Sequence, residues 1–76
     1  MTIKELEQFA LEEIARMNRG IGFNATEDDK RQKVAGMYML FREMYMRSVC
    51  YGNKPAVEYD RDEYWASYDR AMDACK

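Results

Sequence analysis

The side chains that could do chemistry are few, and their spacing argues against most chemistries. The chain of 76 residues has no histidine. That removes Ser-His-Asp and Cys-His catalytic arrangements, histidine-containing zinc sites and the commonest proton shuttle near neutral pH. Cys50 and Cys75 stand 25 residues apart and make no Cys-x-x-Cys, so a tetrahedral zinc site would need two carboxylates in addition. No metal site is expected, and both cysteines read as free thiols, the small buried hydrophobe that cysteine usually is in a reducing compartment.

The acidic pairs fare no better. Asp60-Arg61-Asp62 begins like a calcium loop but lacks the third ligand and the glycine of the sharp turn. Glu12-Glu13 and Asp28-Asp29 are sequential, so on a helix they point around the axis and not toward one reacting atom. Gly20-Ile21-Gly22 is followed by neither a third glycine nor Lys-Ser/Thr, so no phosphate loop is present. No catalytic residue, no cofactor and no enzymatic activity are expected.

Charge is the more informative property. The net charge is −2, but it is segregated: residues 1–29 carry 3 basic and 7 acidic side chains, residues 30–54 carry 6 and 1, and residues 55–76 carry 3 and 6. A basic middle segment between acidic flanks suits either electrostatic complementarity within a bundle or a groove for nucleic acid. Lys30, Arg31, Lys33, Arg42 and Arg47 are the candidates for the second use. They split onto two shoulders of one helix and follow directly on Glu27, Asp28 and Asp29, whereas phosphate binding needs positive charge gathered on one face. Direct nucleic-acid binding is therefore the alternative and not the expectation.

The elements that carry these residues are announced by three capping signatures. A capping residue stands three positions ahead of an acid at Thr2/Glu5, Thr26/Asp29 and Asp60/Glu63, and an apolar stripe of helical period follows each. Met1 with Leu6 and Tyr59 with Tyr64 add the apolar staple across the first and third starts, while the second has a rival box at Asn24/Glu27. Helices are predicted at about 3–19, 27–51 and 61–75, in one helical domain spanning 1–76. Gly20 is expected to stop the first helix with a left-handed residue; Gly52, with Pro55 beyond it, stops the second. Ile21 and Phe23 are expected to lie pinned over the end of the core.

Each helix has a predicted core face. In the first it is Ile3, Leu6, Ala10, Ile14 and Met17, with Phe9 and Leu11 at the edges; in the third it is Tyr64, Trp65, Tyr68, Ala71, Met72 and Cys75. The second helix is unusual. Val34, Met37, Phe41, Met44, Tyr45 and Ser48 form one apolar side, and the reverse side, which should be charged, holds Ala35, Met39, Met46 and Cys50 with Glu43 as the lone acid. Such a helix is either sandwiched between its neighbours, toward which the width of three packed apolar faces inclines the expectation, or it presents a second face to something outside. Gly36 interrupts it at a cost of about 1 kcal/mol relative to alanine, which a close helix crossing would explain.

The predicted fold is all-α, a compact three-helix bundle with a long central second helix. The longest uncharged apolar stretch, residues 34–41, is far below the roughly 20 residues that span a bilayer. The first residues lack a basic region leading into an apolar one, so no membrane contact and a cytoplasmic location are expected. The predicted function is non-catalytic: a protein–protein interaction module, a small inhibitor or regulator of a larger machine, nucleic-acid-handling machines included, of the size and composition that phages and mobile elements encode. Met39, Glu43, Met46, Cys50, Tyr59, Asp62 and Trp65 are the candidate partner-binding residues, methionine being the adaptable residue of binding surfaces. A structural homodimer burying the second face of the middle helix is the remaining alternative.

Overall fold

A computed structural model of the chain describes residues 1–20, 25–52, 54 and 57–76. Within them lie three helices, α1 (Ile3–Asn18), α2 (Glu27–Cys50) and α3 (Arg61–Asp73), each in contact with the other two. The architecture is an all-α three-helix bundle. Ile21, Phe23, the rival cap Asn24 and Pro55 fall outside the described residues.

Local chemistry accounts for the helix starts. At α1 the Thr2 hydroxyl accepts from the Glu5 N–H while the Glu5 carboxylate accepts from the Thr2 N–H, both at 3.1 Å. Thr26 and Asp29 make the same reciprocal pair at 3.0 and 3.1 Å, so the middle start is as complete as the first and Thr26 is its cap. At α3 Asp60 accepts from the Glu63 N–H at 2.9 Å, and Tyr59 packs on Tyr64 with ring centroids 5.3 Å apart. At the C-terminal end of α1 the Arg19 and Gly20 N–H groups close on the carbonyls of Arg16 and Met17. Gly52 takes φ +71°, the left-handed conformation that ends α2.

The core is formed by Ile3, Leu6, Ala10 and Ile14 of α1, Val34, Tyr38 and Phe41 of α2, Tyr64, Ser67 and Ala71 of α3, together with Val57 and Cys75. The buried face of α2 differs from the predicted one: Tyr38 is fully buried and Met44 is 43% exposed. Tyr38 displaces the methionine because its polar tip is satisfied inside. Its hydroxyl bonds the Ser67 hydroxyl at 2.6 Å, and its ring meets Tyr64 and Tyr68 edge-on at 5.6 and 5.5 Å. The Tyr64 hydroxyl in turn donates to the Tyr38 carbonyl at 2.6 Å. In α3 the same exchange makes Ser67 a core residue and leaves Trp65 45% exposed.

This buried polar pair is tied to the surface. Glu7 of α1 accepts from the Arg70 Nε and Nη2 of α3 at 3.1 and 2.8 Å, a clamp across 63 residues of sequence. The Arg70 guanidinium holds the Glu7 carboxyl below its ordinary value, with the Ser67 hydroxyl assisting. Burial pushes the Tyr38 and Tyr64 hydroxyls up. Among the described residues no buried side-chain nitrogen or oxygen lacks a partner.

Candidate interaction surface on the second helix

At 1.5 Å per residue the 24 residues of α2 extend about 36 Å, against about 24 Å for α1 and 20 Å for α3. The difference is an overhang. Beyond Tyr45 the helix leaves the bundle, and Met46 is 48%, Val49 52% and Tyr51 77% exposed, with Cys50 exposed beside them. Val49 and Tyr51 lie about 160° apart around the axis at 100° per residue. Apolar residues thus wrap much of the overhang, a pattern that in a finished assembly belongs to a covered helix.

The reverse face of α2 is open from Gly36 to Cys50, with Ala35 half-buried at its start. Met39 is 64% exposed and Leu40 62%, so neither α1 nor α3 covers this side, and α2 is not sandwiched. Gly36 belongs to the same sector. A Cβ added there would meet nothing within 4 Å, so no crossing by another helix among the described residues explains this glycine.

Of the predicted partner-binding residues, the structure brings Met39, Glu43, Met46 and Cys50 together, lining one concavity with Arg42, Arg47 and Tyr51. Its space of about 600 Å³ is wide enough for a ligand, but every wall comes from one helix, so it embraces nothing the size of a small molecule from two sides. Tyr59, Asp62 and Trp65 stand apart. Tyr59 is half-buried, stacked on Tyr45 at 4.8 Å, and Trp65 stands edge-on to Tyr64 and Tyr68 at 5.2 and 5.5 Å, while Asp62 is exposed in the first turn of α3. Arg42 lines the methionine concavity, and its charge acts on the Tyr64 hydroxyl.

Leu40, Met44, Val49 and Phe9, all exposed, are not among the predicted partner-binding residues. Leu40 and Met44 share a second groove with Met1, Leu6, Phe9, Met37 and Phe41, between α1 and α2. The groove is apolar throughout and about 170 Å³, too small for a drug-sized ligand, for which about 300 Å³ is the lower bound. A helical wheel centred on Gly36 would have placed Leu40 on the outer face, since it falls 40° from that glycine.

The basic residues do not form one patch. Lys30 donates to the Asn18 side chain at 2.9 Å, Arg31 pairs with Glu27 at 2.7 Å and Arg47 with Glu43 at 3.6 Å, while the charge of Lys33 acts on Glu13. Arg31 also shares its groove with Asp69 and Asp73. Arg31, Lys33 and Arg47 each sit near an anion, an arrangement poorly suited to tracking a phosphate backbone.

Among the described residues no group of three or more His, Cys, Asp or Glu could hold a metal ion, and no helix is long and apolar enough to cross a membrane. Cys50 ends α2, whereas Cys75 feels the charges of Lys30, Arg31 and Glu27 near its start, so most of the helix, about 30 Å from Lys30 to Cys50, separates the two thiols. The chain matches no protein-family model, no curated protein and no solved structure.

Proposed function

We propose that the chain is a non-catalytic protein–protein interaction module, a small inhibitor or regulator that acts by docking the outer face of α2. The observation that carries this reading is the uncovered sector of Met39, Leu40, Met46 and Cys50, continued by the apolar overhang. Contiguous apolar surface on a helix already anchored by its opposite side is characteristic of contact with another protein. Its methionines adapt to a partner's contour, while Glu43 and Arg47 within the sector and Arg42 at its margin supply the polar contacts that fix orientation. The acidic and aromatic region of Asp62 and Trp65 is a second surface of the same module, available to the regulated machine.

The test is affinity capture from the source cell with the wild-type chain and with Met39→Glu/Met46→Glu. A charge placed in a desolvated contact costs several kcal/mol, so the variant should lose the captured protein while keeping its helical circular dichroism. Equal capture by a folded variant removes this face from the function.

A further inference from the structure

The outer face of α2 has a charge pattern that selects its occupant. At 100° per residue Gly36, Met39, Leu40, Glu43, Met46, Arg47 and Cys50 fall within a sector of about 120°. Inside that sector one acid and one base sit a helical turn apart, Glu43 and Arg47, loosely paired at 3.6 Å and both more than half exposed. We propose that this face is occupied by a second copy of the chain, its α2 packed antiparallel on the first, with Glu43 of each copy against Arg47 of the other. The proposal rests on the reading of the face as an interaction surface and names what covers it.

Register follows from the charges. A parallel pairing sets Glu43 beside Glu43 and Arg47 beside Arg47, and an antiparallel pairing centred on residue 43 again juxtaposes the two acids. Centring the two-fold axis at Tyr45 brings both opposite charges together at once. The same register sets Leu40 opposite Cys50 and Met44 opposite Met46, so the overhang of each copy lies on the Met39–Met44 stretch of the other.

That coincidence is independent of the charges. The overhang is left uncovered by its own bundle, and the stretch it would cover is the most exposed apolar part of α2: Met39 at 64% and Leu40 at 62%. Antiparallel packing also sets the two helix dipoles head to tail. The contact is made by a single helix face of each copy, small beside a standard interface of about 800 Å² per partner, so the dimer should dissociate on dilution.

The experiment is light-scattering mass at increasing concentration, for the wild-type chain, Glu43→Arg, Arg47→Glu and an equimolar mixture of the two variants. The wild type should rise from 9.1 kDa to twice that mass. Each variant alone should remain monomeric with unchanged circular dichroism, because like charges then face each other at both contacts. Mixing should restore the doubled mass: one chain then carries bases at both positions and the other acids at both, so opposite charges meet at each end of the interface. A wild type that stays at 9.1 kDa at its highest soluble concentration overturns the proposal; so does a charge variant that remains dimeric, or a mixture that remains monomeric. A monomeric wild type that still loses its captured partner on Met39→Glu/Met46→Glu removes the second copy but keeps the interaction surface. If that capture is also unaffected, both readings fall.

Discussion

Replacing Ser67 by alanine deletes one oxygen from the core, and the structure says what that oxygen does. The Ser67 hydroxyl is fully buried and lies 2.6 Å from the Tyr38 hydroxyl, itself on a fully buried side chain. Without it the tyrosine hydroxyl is left with no partner and no water, a penalty of about 1–3 kcal/mol. Tyr38→Phe removes the demand from the other side and leaves Ser67 beside the Glu7 carboxylate, so it should cost less, about 0.5–1.5 kcal/mol. In the double variant both members of this hydroxyl pair are gone, and the Tyr64 hydroxyl keeps its own acceptor, the backbone carbonyl of residue 38. Its loss should fall short of the sum of the single losses by about 1 kcal/mol or more, the signature of direct coupling. Urea unfolding followed by far-ultraviolet circular dichroism reads this: with a slope of about 1 kcal/mol/M for a small domain, Ser67→Ala should lower the midpoint by about 1–3 M. Losses that add to within about 0.5 kcal/mol would show that the two hydroxyls do not depend on each other and would refute this picture of the core.

Gly36→Ala should stabilise the monomer by up to about 1 kcal/mol, because an added Cβ meets nothing and helix propensity alone decides; a loss of stability would place an unseen neighbour there. The Glu7 carboxyl is held below its ordinary value of 4.5 by Arg70, so its stabilisation is complete above that pH and is lost as pH falls through the lowered value. Glu7→Gln should therefore flatten the stability curve on the acid side and converge with wild type at low pH, and an unchanged acid limb contradicts the clamp. Thiol labelling without reductant should modify Cys50 at once and Cys75 only through opening of the fold, since Cys75 is fully buried and its thiol is pushed up by burial, with two thiols counted in denaturant. Equal rates, or fewer than two thiols, would contradict that placement.

The helices were legible because their signals are local. Thr2, Thr26 and Asp60 cap where the spacing to Glu5, Asp29 and Glu63 says they should, and the apolar period of α1 names its buried residues Ile3, Leu6, Ala10 and Ile14. What escaped depends on partners distant in the chain. Tyr38 and Ser67 looked dispensable to the core because each is polar alone, and only their pairing across 29 residues makes burial favourable. Glu7 and Arg70 are one acid and one base among many until the fold sets α1 against α3. The candidate surface was half visible: Met39, Met46 and Cys50 stood out as apolar where polar residues belong, but whether α1 or α3 covers them is a question of rotation about the α2 axis. Tyr38 answers it by turning the buried side of the helix away from Met44.

The central claim is that α2 is anchored by Val34, Tyr38 and Phe41 and leaves Met39 and Met46 free for another protein. Thermal unfolding of Met39→Glu/Met46→Glu, beside Val34→Glu and at a dilution where the wild type is monomeric, tests it most directly. The outer-face variant should melt within a few degrees of wild type, because surface changes are usually worth within about 0.5 kcal/mol, whereas a carboxylate at Val34 should abolish the folded transition. A collapse of the Met39→Glu/Met46→Glu variant comparable to that of Val34→Glu would show that these methionines belong to the core, and the interaction surface would not exist.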